Sequence, residues 1–172
     1  MPVSSLPSEH VRYTAALSGS GIICCSAPCR QKYCTACTAS SSCRHYRLDA
    51  GGEAGNDVLV RRHANGLLVT SLAPSHPLLR RDAKRVAQVA FRSSVADKEA
   101  HGKRNKGGAS LKPQTVLADV SLEDGSKALL FAGVDARLVE VNERLSEEPG
   151  SLQDAPEDEG FLTILQPRWP QD

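Results

Sequence analysis

The stretch DVLVRRHANGLLVTSL, residues 57–72, contains two short apolar runs on either side of Asn65-Gly66. An Asn-Gly pair between such runs favours a type I′ turn, whose twist matches that of paired strands. The runs are rich in Val and Leu and have the length of ordinary strands. This stretch predicts a β-hairpin and indicates a mainly β fold.

A second hairpin is predicted in TVLADVSLEDGSKALLF, residues 115–131. Asp124-Gly125 supplies the tight turn. Strict alternation before this turn predicts a half-buried strand, because successive side chains of a strand point to opposite faces. One predicted face holds Val116, Ala118, Val120 and Leu122, and the other holds Leu117, Asp119, Ser121 and Glu123.

The rest of the apolar pattern adds short elements to these hairpins. KRVAQVAF, residues 84–91, fits a strand by alternation or a short helix by its alanines, and the strand is favoured. Gly133 allows a bend before ARLVEV, and GFLTIL forms the last strand. Asn142 is predicted to cap a short helix, NERLSEE, that Pro149 helps to end. Residues 57–167 therefore predict one antiparallel sandwich with one short helix.

Composition limits the function classes. A chain of 172 residues with 24% charged residues suits one soluble domain, and only 4% of its residues are aromatic. A pocket lined with aromatic rings, as in many enzymes, is not expected. No apolar run reaches the roughly 20 residues of a membrane span, and the start MPVSSLPSEHVRY lacks the pattern of a secretory signal. We expect an intracellular protein that does not enter membranes.

All six cysteines fall in a low-complexity stretch rich in Ser, Ala and Thr. Their confinement argues against a disulfide scaffold. Cys34 and Cys37 form a CxxC pair that suits zinc, but Cys25 and Cys29 do not supply a second pair with that spacing. The favoured interpretation is an insertion without ordered structure and without a metal, with zinc binding as the alternative.

Charge is distributed unevenly along the chain. Residues 80–112 carry ten lysines and arginines against three acids, whereas residues 119–172 carry thirteen acids against four basic residues. A glycine-rich segment within the basic region is either a solvated loop or a binding site for an acidic surface. It contains no aromatic residue for base stacking, so sequence-specific nucleic-acid binding is not expected. The candidate partner-binding residues are Lys98, Lys103, Arg104 and Lys106.

Candidates for catalysis are few. His76 adjoins Ser75, but no orienting carboxylate or oxyanion motif accompanies them, and a turn histidine between two prolines is the favoured interpretation. His63 is expected to be a surface or strand-end residue. Glu157-Asp158-Glu159 is expected to be a solvated turn and not a calcium loop. No catalytic residue is assigned, and we expect no enzymatic activity.

The pattern Val141-Asn142-Glu143-x-Leu145, followed by Glu159-Gly160-Phe161, resembles the glycine cleavage H-protein family. The resemblance implies the barrel-sandwich hybrid, or lipoyl/biotinyl hammerhead, in which a hairpin tip presents the lysine that receives the lipoyl arm. In the register of that family the modified position falls on Gly125, and the nearest lysine, Lys127, comes two residues later. The resemblance therefore implies this scaffold without its lipoyl-lysine.

A longer ordered set of motifs resembles the Abitram, or Simiate, family of actin-binding transcription modulators. The set consists of Leu72-Ala73-x-Ser75-His76-Pro77, a basic Gly102-to-Ala109 segment, the Asp124-Gly125 turn and a stretch from Arg137 to Gly160. The resemblance implies a nuclear protein, present in nuclear speckles, that also meets actin in the cytoplasm and self-associates. The N-terminal pattern of the family is split here by the cysteine-rich stretch, with Arg12-Tyr13 on one side and His45-Tyr46 on the other.

The expected organisation has four parts: an N-terminal segment at 1–16, the insertion at 17–44, an H-protein-like hammerhead domain at 45–167 and a tail at 168–172. Two function classes compete. The first is a non-enzymatic protein that binds actin filaments or monomers and modulates transcription, without a cofactor. The alternative is a lipoyl or biotinyl carrier modified at Lys127.

Overall fold

The computed structural model describes residues 22–24, 43–96 and 108–168. These residues form ten strands and three short α-helices. The strands are β1 (Ile22–Cys24), β2 (Cys43–Arg47), β3 (Val58–Arg62), β4 (Leu68–Leu72), β5 (Val86–Phe91), β6 (Ser110–Leu111), β7 (Val116–Leu122), β8 (Lys127–Phe131), β9 (Ala136–Val141) and β10 (Thr163–Pro167). The helices are α1 (Ser93–Ala96), α2 (Arg144–Glu147) and α3 (Ser151–Asp154).

The strands make two antiparallel sheets that share one apolar core. The larger sheet has the order β1-β2-β3-β4-β10-β9-β6, and the smaller has the order β5-β7-β8. Side chains of both sheets, such as Val60, Leu138, Val89 and Leu130, are buried in one cluster. The mainly β prediction is confirmed, although the described residues hold three short helices where the sequence indicated one. None of these helices has the length and apolar character needed to cross a membrane.

The hairpin predicted at Asn65-Gly66 is formed by β3 and β4, but its turn differs from the prediction. Gly66 has φ of 85° and donates its N–H to His63 O at 2.9 Å. Asn65 has negative φ, whereas a type I′ turn requires positive φ at both central residues. The loop is a turn centred on Ala64 and Asn65, followed by a left-handed glycine. A three-residue loop of this kind is also common in hairpins.

The β7–β8 hairpin repeats this loop. Gly125 has φ of 82° and donates to Leu122 O, as Gly66 donates to His63 O. In both loops the side chain of the residue before the glycine accepts a backbone N–H from the residue after it. Asn65 Oδ1 accepts from Leu67 at 3.0 Å, and Asp124 Oδ1 accepts from Ser126 at 2.9 Å. Both hairpins are therefore where the two dipeptides predicted them. In both, however, the loop has this three-residue geometry and is not a type I′ turn.

A bulge changes the predicted faces of β7. The pairing between β7 and β8 shifts register between Val116 and Ala118. Leu117 was expected on the polar face with Asp119, but it is fully buried in the core. A bulge adds one residue to a strand and breaks the strict alternation of side chains, which explains the difference. KRVAQVAF, the ambiguous segment, forms strand β5 as favoured.

Part of the 17–44 segment, which the sequence indicated to lack ordered structure, is a strand. β1 at Ile22–Cys24 pairs with β2, with Ile22 opposite Arg47 and Cys24 opposite His45. β2 itself starts at Cys43, before the predicted domain boundary at 45. The edge of β2 offers backbone partners that even three residues can pair with. Cys25, Cys29, Cys34 and Cys37, with the predicted metal alternative, lie outside the described residues.

Asn142 does not cap the short helix as predicted. Glu143 occupies the cap position of α2 and makes no side-chain cap hydrogen bond. The side chain of Asn142 is buried, and its Nδ2 donates to Glu159 O at 2.7 Å and to Phe161 O at 2.8 Å. Helix-cap preference was overridden because this buried amide is needed to hold the backbone that leads into β10.

Candidate functional site

The four predicted partner-binding residues, Lys98, Lys103, Arg104 and Lys106, lie outside the described residues. Both ends of their segment are anchored. Val95 in α1 is buried in the core, and Ala109 O accepts the Leu138 N–H of β9 at 2.8 Å. The basic segment of residues 97–107 is therefore attached to the domain between α1 and the edge formed by β6 and β9.

An open groove of about 480 Å³ lies where this segment begins. Residues 88–91 of β5 form one wall, and the other wall includes Glu143, Ser146 and Glu147 at α2. Ala96, the last residue of α1, also lines the groove. Sequence patterns did not indicate this groove, because it depends on how α2 packs beside β5.

The groove is acidic. Glu143 and Glu147 are exposed, and neither forms an ion pair with any residue that the structure describes. Neighbouring acids behave differently, since Glu148 contacts Arg144 at 3.4 Å and Asp154 contacts Arg85 at 2.7 Å. Two carboxylates on one wall give the groove a negative charge that favours cationic ligands.

β5 is an edge strand of the smaller sheet. Arg92 N–H donates to Leu117 O, and Glu123 N–H donates to Arg85 O. In an antiparallel pair the residues alternate between facing the partner strand and facing away from it. The backbone groups of Gln88 and Ala90 therefore face β7, and those of Val89 and Phe91 face away from it. Val89 and Phe91 both line the groove.

Ser75 and His76 do not form a nucleophile and base pair. Ser75 Oγ donates to Asp57 Oδ2 at 2.5 Å. His76 Nδ1 accepts the N–H of Leu78 at 3.1 Å, so Nε2 carries the proton and donates to Asn56 Oδ1 at 3.2 Å. Both ring nitrogens are occupied, and the histidine begins the short helical turn at Pro77–Leu79.

Burial keeps His76 neutral. Desolvation lowers its pKa to about 4, and Arg80 acts in the same direction, while the charge of Asp57 opposes the shift. This buried network extends the sequence-based interpretation of a turn histidine. His63, in contrast, is exposed beside the first hairpin loop, as expected.

The acidic turn at 157–159 is only partly solvated. Glu157 contacts Arg44 at 3.0 Å and Arg61 at 3.5 Å, and Arg61 also donates to Glu157 O. Arg44 and Arg61 are opposite each other on β2 and β3, so Glu157 neutralises two adjacent cations. Within the described ranges no three His, Cys, Asp or Glu side chains are placed to hold a metal ion.

Comparisons with known proteins identify the relatives of the chain. No protein-family model matches it. Protein Abitram of Danio rerio is 30% identical over 129 residues, which cover 73% of this chain and 73% of the relative. The chain belongs to the Abitram family.

Two further Abitram proteins have similar sequences. That of Gallus gallus is 28% identical over 130 residues, covering 73% of this chain and 75% of the relative. That of Dictyostelium discoideum is 31% identical over 111 residues, covering 64% and 62%. Among solved structures, a glycine cleavage system H protein from Mycobacterium marinum matches 69% of this chain and 84% of its own with a TM-score of 0.49 and 14% identity.

Two motif residues that suggested the Abitram family have structural roles here. Asn142 holds the backbone of residues 159–161, as described above. Gly160 lies so close to the carbonyl of Ser151 that a Cβ atom has no space. Both residues fix the backbone between α3 and the last strand, so their part of the family pattern reflects the fold.

Lys127, the alternative carrier residue, is exposed but does not lie at a hairpin tip. It is the first residue of β8 and is opposite Ser121 of β7. Gly125 occupies the tip, with open space around it. The position of Lys127 within a paired strand does not favour the alternative.

Proposed function

We propose that this chain is a non-enzymatic, actin-binding member of the Abitram family with a transcription-modulating role. It acts in the nucleus, including nuclear speckles, and on the cytoplasmic cytoskeleton. Membership of the family, at 30% identity with the Danio rerio protein, carries this proposal. The actin and transcription roles follow from the resemblance that the ordered motifs imply.

The actin contact is assigned to Lys98, Lys103, Arg104 and Lys106. Actin's surface is expected to be acidic, and these four cations are concentrated in nine residues. Their segment leaves the domain at α1 and returns at Gly108, which packs against Leu138 O. Exposed charges mainly affect association and are screened over about 8 Å at physiological salt. We therefore expect binding that weakens as salt rises.

Co-sedimentation with actin filaments tests this assignment. The test variant replaces Lys103, Arg104 and Lys106 by Ala. A matched control replaces Arg80, Arg81 and Lys84, which are exposed and form no ion pair within the described part of the chain. Both variants remove three positive charges, so only the position of the charges differs between them.

The expected result is a large loss of co-sedimentation for the first variant and a small loss for the control. Both variants should unfold at nearly the wild-type temperature, because exposed charges contribute little to stability. Equal losses would show that only net charge matters. Wild-type binding by the first variant across a salt series would exclude the basic segment.

Intact mass distinguishes this proposal from the carrier alternative. We expect the intact mass of the native protein to equal that of the unmodified chain, with no lipoyl or biotinyl group on Lys127. A stoichiometric lipoyl or biotinyl adduct at this residue would contradict the proposal and establish a carrier.

A further inference from the structure

We propose that the free edge of β5 and its acidic groove bind an extended basic peptide from a partner protein, which adds a fourth strand to the smaller sheet. This site goes beyond actin binding and does not depend on it. It uses described residues of β5 and α2, whereas the proposed actin contact uses the segment at 97–107.

Backbone geometry gives the first argument. Val89 and Phe91, which line the groove, each direct an N–H and a C=O away from β7. No hydrogen bond to these outward groups is found within the described residues. An extended peptide that pairs with an exposed edge gains main-chain hydrogen bonds, which supply affinity in strand addition.

The composition of β5 gives the second argument. Edge strands are usually protected by charged residues, prolines, bulges or a covering element. VAQVAF contains neither charge nor proline, and its bulge lies between Val86 and Gln88, at the start. Gln153 occupies the backbone N–H of Val86 only. Among the described residues, this protection ends before Gln88, so the outward backbone groups of Val89 and Phe91 are available.

The charge of the groove defines the occupant. Glu143 and Glu147 line the groove together with residues of β5 and have no cationic partner in the described residues. Alternate side chains of an added strand point to one face, so lysines or arginines at every second position can reach these carboxylates. Pairing along residues 88–91 needs about four peptide residues at roughly 3.3 Å each.

Amide hydrogen exchange of the full chain, measured by NMR, tests the proposal. The probe is the acetylated and amidated peptide KVKVKVK. We expect it to slow exchange at Val89 and Phe91, while Ala90, already bonded to β7, changes little. A version N-methylated at every residue keeps the charge but has no backbone N–H on either edge, and its methyl groups prevent close strand pairing, so it should give no protection.

Charge variants provide the second test. The double substitution E143Q and E147Q should weaken probe binding by about three- to tenfold, in line with two exposed ion pairs. The matched control E123Q and D158N neutralises two exposed acids outside the groove lining and should bind like wild type. Equal binding by all three proteins would overturn the proposal.

Three other outcomes would also overturn it. The first is the absence of protection at millimolar probe. The second is slow exchange of Val89 and Phe91 in the protein without probe that is lost when Lys103, Arg104 and Lys106 are replaced by Ala. This result would show that the chain's own basic segment occupies the groove. The third is protection that increases with protein concentration alone, which would identify a second copy as the occupant.

Discussion

The side-chain Oε1 of Gln153 accepts a hydrogen bond from the backbone N–H of Val86 at 3.0 Å. Its Nε2 donates to Leu78 O at 2.8 Å and to Lys84 O at 2.9 Å. One amide thus satisfies three backbone groups from helix α3. It attaches this helix to the start of β5, on the edge opposite β7, where the described residues provide no neighbouring strand.

Replacing Gln153 by Ala should lower the free energy of unfolding by about 2 kcal/mol, because three backbone partners lose their hydrogen bonds and only partly regain water. The closely isosteric Gln153→Glu should be at least as destabilising at pH 7, since its carboxylate faces two carbonyl oxygens. Urea denaturation measures both variants. Wild-type stability of the glutamate variant would contradict the assigned hydrogen bonds.

Asn142→Ala should destabilise the fold by about 2 to 3 kcal/mol, because two buried carbonyls lose their donor. Asn142→Asp keeps the shape and replaces the donor by an acceptor. It should therefore be strongly destabilised at neutral pH and partly recover as the carboxyl is protonated in acid. Thermal unfolding from pH 4 to 7 tests this, and an aspartate variant that is as stable as wild type at pH 7 would contradict it.

The lowered pKa of His76 predicts a specific dependence of the free energy of unfolding on pH. Its pKa is 6.5 when unfolded and about 4 when folded, so the unfolded state binds the proton first as pH falls. Stability from this residue is complete above pH 6.5 and decreases towards pH 4. The free energy of unfolding should fall by about 3 kcal/mol through this residue between pH 7 and 4.

His76→Gln provides the control for this dependence. The variant should be less stable at pH 7. Because glutamine has no group that titrates in this range, its free energy of unfolding should vary less between pH 4 and 6.5. Denaturant titrations at several pH values measure the difference. Parallel curves for the two proteins would show that the buried histidine does not titrate as described.

The buried hydroxyl groups of Thr70 and Thr163 lie 2.6 Å apart on adjacent strands. Replacing either residue by Val leaves the other hydroxyl without this partner and should cost about 1 to 2 kcal/mol. The double variant should cost clearly less than the sum of the single costs, because no hydroxyl remains unsatisfied. Additive costs would show that the two groups do not interact.

A chelator should not change the unfolding temperature, because the six cysteines are not expected to form a structural metal site. Structural zinc is coupled to folding, so its removal destabilises a protein strongly. Thermal unfolding with and without EDTA decides the question. A large decrease with EDTA would show that a metal is coupled to folding and would overturn the favoured interpretation.

Much of the sheet structure followed from local sequence signals, and the errors came from tertiary contacts. Asn65-Gly66 and Asp124-Gly125 marked both hairpins because a left-handed turn position needs glycine in each. The exact turn type depended on the length of the loop between paired strands. Leu117 was placed on the wrong face because a bulge has no sequence signature as clear as alternation.

The groove and its supports were harder to foresee. Gln153 is separated from Val86 by 67 positions, and Asn142 is separated from Glu159 by 17. A polar side chain that bonds to distant backbone looks like any surface residue in the sequence. The acidic character of the C-terminal half was visible, but the placement of Glu143 and Glu147 beside an edge strand required the packing of α2.

The pairing of Cys24 with His45 has a consequence for the connection between β1 and β2. The end of β1 and the start of β2, which the connection joins, belong to paired neighbouring strands. The entropy of closing such a loop grows only with the logarithm of its length, at about 0.6 kcal/mol for each doubling. A fluorescent protein or an affinity tag inserted here should therefore leave the stability of the domain nearly unchanged.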